Sequence, residues 1–200
     1  MHQFLLATRN SHKTREFAEI LGEAFDIRDL ADAPELPVIE ETGLTFEANA
    51  ILKAVETSKH SQGLVVADDS GLEVDALNGA PGIYSARYAG EDATDAENVA
   101  KLLAALNSAP GPRSARFCCV LALVREGTVL GTFHGLVEGT ITSAPRGNSG
   151  FGYDPVFQPE GFDQTFAELD PAEKNRISHR ARAIQALRRA LLDRAKEKPD

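Results

Sequence analysis

Apolar and polar positions alternate between two rhythms along this chain. The run Gln3-Phe4-Leu5-Leu6-Ala7-Thr8 is continuously apolar at its centre and reads as a buried strand. It turns polar at once, and Phe17, Ile20 and Leu21 then recur at helical spacing, with Asn10 or Ser11 as the cap. Residues 29–43 are rich in proline and acids and read as a loop. A second helix is predicted over 45–60, with Phe46, Ala50 and Val55 among its inner positions. Residues 63–67 form the next strand, which is expected to end at two adjacent carboxylates, Asp68 and Asp69.

Turn signals crowd residues 76–90, where Asn78-Gly79 and Pro81-Gly82 stand close together. A helix follows: Thr94 and Glu97 make a capping box, and Val99, Leu102, Leu103 and Leu106 give its apolar stripe. Residues 107–114 read as a loop, and 115–141 as two long strands joined at Glu126-Gly127. Residues 144–155 are a glycine-rich loop. The last helix begins at Asp170-Pro171-Ala172-Glu173, a carboxylate cap with proline at the first helical position, and is expected to run unbroken to about Lys196 before a polar tail. Early alternation of strands and helices, followed by a long hairpin, predicts an α/β protein with a sheet of mixed direction.

Composition narrows the class. A chain of 200 residues, 42% hydrophobic and 26% charged, suits one globular domain with a real core. A net charge of −9 argues against wrapping nucleic acid. No run approaches the ~20 apolar residues of a membrane helix, and the start lacks the long apolar run and basic leader of a signal peptide. The two cysteines, Cys118 and Cys119, are adjacent on a strand and point to opposite faces, so they read as small core residues of a reducing compartment. A cytoplasmic location is expected.

Five places carry candidate chemistry. The turn Thr8-Arg9-Asn10-Ser11-His12-Lys13 aims backbone N–H groups and a helix start at one spot, which suits an anion; ordinary helix capping is the plain alternative. Glu40 and Glu41 lie in the acidic loop, and Lys53 shares a helix face with Asn49; the alternative is a solvated loop and a surface lysine. Asp68 and Asp69, before Ser70-Gly71, stand where α/β sheets collect ligands and offer the oxygens Mg²⁺ prefers; the alternative is a turn bonding its own backbone. Gly150-Phe151-Gly152-Tyr153-Asp154 combines close backbone approach with flat rings on which a base could stack, or is a tight turn over the core. Lys174, Ser178, His179 and Arg180 put cationic donors near the start of the last helix, unless this is an exposed basic face. As a set these are the groups that would hold a base, a polyphosphate and a divalent cation.

Five stretches in order, "LATRNSHKTREF", "EETGLTFEANAILKA", "ADDSGLEVDALNGAPGIYSARYAG", "GFGYDP" and "EKNRISHRARA", resemble the inosine/xanthosine triphosphate pyrophosphatases, and the likeness spans nearly the whole chain. That resemblance implies one catalytic domain over 1–200 with two lobes, a long mixed sheet with flanking helices, an active-site cleft between the lobes and a homodimer. It implies hydrolysis of ITP, dITP and XTP to the monophosphate and pyrophosphate, with no nucleic-acid or membrane partner. Asp69 would be the general base and, with an acid of the Glu40–Glu41 pair, Glu40 being favoured over Glu41, would hold Mg²⁺, Mn²⁺ being the alternative. Thr8, Arg9, Asn10, Ser11, His12 and Lys13 would hold the triphosphate, and Lys53 and Lys174 would join Lys13 on the departing pyrophosphate. Ser70, Phe151, Gly152, Tyr153, Asp154, Lys174, His179 and Arg180 would contact the nucleotide. Arg9 is a departure, because the family often has glycine there. The same residues could serve a nucleotide sensor or a broad triphosphatase, which the products from several triphosphates distinguish.

Overall fold

The structure, a computed structural model, describes residues 2–33, 36–109 and 111–196. The polar tail expected after Lys196 lies outside the described residues, as do positions 34–35 and 110 of the two predicted loops. The chain divides into two compact units. The first comprises Met1–Asp69, Cys119–Gly135 and Arg180–Asp200, and the second Ser70–Cys118 and Leu136–His179.

The first unit begins with strand β1 (His2–Leu6), helix α1 (Ser11–Leu21), strand β2 (Phe25–Asp29) and helix α2 (Phe46–Ser58). Asn10 caps α1 by accepting from the backbone N–H groups of His12 and Lys13, and Thr45 caps α2 by accepting from Ala48. β1 pairs in parallel with β2 and with strand β3 (Leu64–Val74), so Leu5 stands opposite Arg28 on one side and Val65 on the other. Phe4, Leu6, Phe17, Val66, Leu121 and Ile184 form the centre of this unit's core.

The second unit holds helix α3 (Asp95–Ser108), where both halves of the Thr94–Glu97 capping box are made. Strands β4 (Ser114–Arg125) and β5 (Thr128–Ile141) are joined by Glu126 and Gly127, both at positive φ as a two-residue hairpin demands. The short strand β6 (Phe157–Pro159) pairs antiparallel with β5, and Phe117, Phe157 and Phe166 pack around one another in the core of the unit. The sheet has six strands in the order β2-β1-β3-β4-β5-β6. The expected α/β class with a mixed sheet and accompanying helices is borne out. No helix among the described residues is long and apolar enough to cross a membrane.

Three expectations are corrected. β3 does not end at Ala67 but runs through Asp68 and Asp69 to Val74, because buried cations answer the acids and Leu72 and Val74 continue the core. β2 and β6, five and three residues long, were not anticipated. The last helix is two, α4 (Pro171–Ile177) and α5 (His179–Lys196), broken where Ser178 takes an extended backbone (φ −64°, ψ 159°). The boundary between the units falls just after the break, between His179 and Arg180 at the start of α5.

Candidate active site

Successive residues of a strand point to opposite faces, so Asp68 and Asp69 meet different company despite being neighbours. Asp68 Oδ1 accepts from Lys13 Nζ. Its Oδ2 accepts from Arg180 Nε at 2.9 Å and from the Cys119 thiol at 3.2 Å. Arg180 in turn donates to Glu16 Oε2 at 2.6 Å. Burial alone would push the Asp68 carboxyl up, but Arg180 and Lys13 outweigh it and hold the group well below the ordinary carboxylate range. Burial also raises the Cys119 thiol, which therefore keeps the proton it donates. Asp68 is thus a fixed anion that anchors Lys13 and Arg180.

Among the described residues Lys53 is the cation that bonds to Asp69, and it is shared. Lys53 Nζ donates to Asp69 Oδ1 at 2.9 Å, to Glu41 Oε1 at 2.6 Å and to the Asp68 carbonyl at 2.8 Å. Asp69 Oδ2 is buried and has no hydrogen-bond partner among the described residues. Burial raises the Asp69 carboxyl, Lys53 opposes the rise and the charge of Glu41 adds to it, leaving a net upward shift. Burial pulls Lys53 down, but Asp69 and Glu41 more than restore it, so the ammonium stays charged.

The acid loop resolves in the same way. Glu41 is half-buried on Lys53, whereas Glu40 is exposed. Among the described residues no group of three His, Cys, Asp or Glu side chains is arranged to hold a metal. Asp69 and Glu41 nevertheless fit a divalent cation of the Mg²⁺ kind, which takes one or two carboxylates and fills its shell with water and phosphate oxygens. The unpartnered Asp69 oxygen is the observation that supports this fit, and the Asp69–Glu41–Lys53 set retains one negative charge.

The turn expected to bind phosphate is tightly self-bonded. Thr8 Oγ1 accepts from the Asn10 N–H at 3.1 Å, and Asn10 Oδ1 accepts from His12 at 3.0 Å. Ser11 and His12 are exposed. Arg9 reaches the Leu36 carbonyl at 2.6 Å and so ties the turn to the middle of the acidic loop.

In the second unit, Asp154 organises the glycine loop. Its Oδ2 accepts from the Phe151 N–H at 2.9 Å and from Lys174 Nζ at 2.6 Å. A side chain at Gly150, which has φ +77°, would collide with that oxygen. Lys174 Nζ lies 5.0 Å from the centre of the Phe151 ring. The Gly152 N–H donates to Asp95 at 2.7 Å, joining the loop to α3, and Phe151 helps line a cavity of about 570 Å³ with Val99 and Leu103. Tyr153 is buried and its hydroxyl donates to the Ser85 carbonyl at 2.8 Å, so of the two rings Phe151 is the one with solvent access. His179 is buried, stacked on Phe117 at 4.6 Å. Ser70 is half-buried.

Lys13, Lys53, Asp68, Asp69, Glu41 and Arg180 come together in the first unit, and Phe151, Gly152, Asp154 and Lys174 in the second. Lys174 and Arg180, expected to serve one end of one helix, bind the carboxylates of different units. Asn49, paired with Lys53 on one helix face by spacing, is joined in these clusters by Glu16, Cys119 and Asp95, which the sequence does not assign to them. Glu16 lies one helical turn from Lys13, a spacing that could have flagged it; Cys119 carried no comparable signal.

The model of the Ham1 family matches residues 4–190. The dITP/XTP pyrophosphatase of Bacillus licheniformis is 52% identical over 98% of this chain and 100% of its own length. That of Bacillus subtilis is 48% identical over 96% and 98%. Among solved structures, a HAM1 protein from Coxiella burnetii superposes with a TM-score of 0.88 at 45% identity, covering 96% of this chain and all of that one.

Proposed function

This chain belongs to the Ham1 family, and from that premise we infer that it is a nucleoside triphosphate pyrophosphatase. It hydrolyses the non-standard purine nucleotides ITP, dITP and XTP to the monophosphate and pyrophosphate, and so clears them from the nucleotide pool. The observation that carries the chemical assignment is the unpartnered, buried oxygen of Asp69 beside Lys53 and Glu41.

In this reading Asp69 Oδ2 takes a proton from the water that attacks the α-phosphorus. Lys53 keeps the carboxylate oriented through Oδ1, and Lys13, bonded to Asp68, stabilises the departing pyrophosphate with it. A bound Mg²⁺, held by Asp69 and by Glu41 rather than Glu40, would offset phosphate charge and acidify the water. The turn from Thr8 to Lys13 serves the triphosphate through the start of α1.

The second unit is assigned the base. Phe151 offers the stacking face, and Asp154 and Lys174 fix its loop. Discrimination against ATP needs donors facing the 6-oxo group, since an amino group there would set donor against donor. His179 is the side chain we assign to that role. Arg180 acts through Asp68, on whose oxygen its guanidinium is bonded. Both units act as one catalytic domain, the enzyme works as a homodimer in the cytoplasm, and light scattering reads the oligomeric state.

The test is a panel of ITP, XTP, GTP and ATP with Mg²⁺, read for pyrophosphate and orthophosphate. Pyrophosphate from ITP and XTP, with little turnover of ATP and GTP, is expected. Orthophosphate from every triphosphate, or no turnover at all, would contradict the assignment.

A further inference from the structure

The acidic loop has an anchor that the reaction itself does not explain. Asn49 lies in α2, fully buried, one helical turn before Lys53. Its Oδ1 accepts from the backbone N–H of Gly43 at 2.7 Å. Gly43 follows Glu41 by two residues, so this bond holds the loop where the Glu41 carboxylate meets Lys53 Nζ at 2.6 Å.

Two further observations show that the clamp is built closely. A Cβ on Gly43 would stand 2.6 Å from Asn49 Oδ1 and 2.9 Å from the Ala48 Cβ, so the loop can approach α2 this closely only with glycine at that position. Asn49 Nδ2 is buried and has no hydrogen-bond partner among the described residues. A buried amide N–H left unpaired is unfavourable, and an alanine or leucine would fill the site without it. The position therefore depends on the carbonyl side of the amide, the half that holds Gly43.

We propose that Asn49 is the positioning residue for Glu41: through Gly43 it sets the acidic loop on Lys53, and so preassembles the two-carboxylate set that receives a divalent cation. The proposal rests on the reading of Asp69 and Glu41 as the metal-binding pair. Lys53 and Asn49 project from successive turns of one helix, so one rigid element fixes both the ammonium and the loop that meets it.

The first readout is the exchange of the Gly43 amide hydrogen, followed by NMR without substrate. Asn49→Ala should abolish its protection while the amides of α2 keep theirs. The second is Mn²⁺ affinity by electron paramagnetic resonance, which should fall roughly 10–100-fold, the usual effect of losing a group that orients a metal ligand. Gly43→Ala attacks the clamp from the other side and should lower Mn²⁺ affinity similarly; it carries the affinity test if Asn49→Ala fails to fold. In a Glu41→Gln background, the Asn49→Ala change should have little further effect on Mn²⁺ affinity, because there is no carboxylate left to place. Retained protection of Gly43, unchanged Mn²⁺ affinity in a folded variant, or an undiminished effect on Glu41→Gln would overturn the proposal. If Gly43 loses protection and Mn²⁺ affinity falls while wild type turns over no triphosphate, the functional reading fails and the clamp stands.

Discussion

The two sides of β3 at Asp68 and Asp69 differ more than their adjacency suggests. On one side Asp68 has both oxygens engaged, by Lys13, Arg180 and Cys119, and with Glu16 the charged groups there sum to neutrality. On the other, Asp69 and Glu41 share a single ammonium and one Asp69 oxygen is left over. The same residue type on the same strand is therefore an anion with both oxygens engaged in one place and one with an oxygen left unpartnered among the described residues in the next. What separates them is the number of cations that the surrounding elements deliver. α1 and α5 each send one to Asp68, and α2 sends one that Asp69 must share.

The comparison can be broken by stability measurements. Asp68→Ala should have the largest effect, because it leaves Arg180 and Lys13 facing no aspartate; a loss of about 3–5 kcal/mol in chemical denaturation is expected. The contribution of Asp68 is fully present above the ordinary carboxylate range and is lost as pH falls from there through its depressed folded value, so the deficit of the variant should begin to shrink below the ordinary range and close only in stronger acid. Asp69→Asn should go the other way. The carboxyl is raised in the folded protein, so its ionisation weakens the fold increasingly as pH climbs from the ordinary carboxylate range through the raised value. In metal-free buffer at neutral pH this variant should melt higher, on the order of 2–4 °C, the equivalent of ~1 kcal/mol in a chain of this size. Below the ordinary range the gain should vanish. Cys119→Ala sharpens the contrast at its small end: Asp68 keeps both cations, so the loss should stay near ~1 kcal/mol, the usual worth of one hydrogen bond. Equal and same-signed effects at Asp68 and Asp69 would dissolve the distinction.

Much of the fold was legible because local chemistry is decisive where it occurs. Asn10, Thr94 with Glu97, and Asp170 before Pro171 each mark a helix start, and each is observed there. The hairpin at Glu126-Gly127 was equally plain. The errors share a cause, which is that the deciding partner is distant in sequence. A strand crossing two carboxylates looks terminated until Arg180, 112 positions away, is seen to answer one of them. β2 and β6 are too short to show a period of their own and form against β1 and β5. Ser178 carries no glycine or proline breaker signal, and its extended backbone stands just before the boundary between the units. The acids were visible as residue types, but that Glu41 rather than Glu40 meets Lys53 depends on how the loop folds back onto α2.

The account stands on the division of labour between the two aspartates, and the turnover of Asp69→Asn with ITP and Mg²⁺ tests it most directly. Pyrophosphate release should fall about 10²–10⁴-fold, the span expected on losing a general base, while ITP still binds and the protein stays folded. A variant that releases pyrophosphate at a rate close to wild type would contradict it.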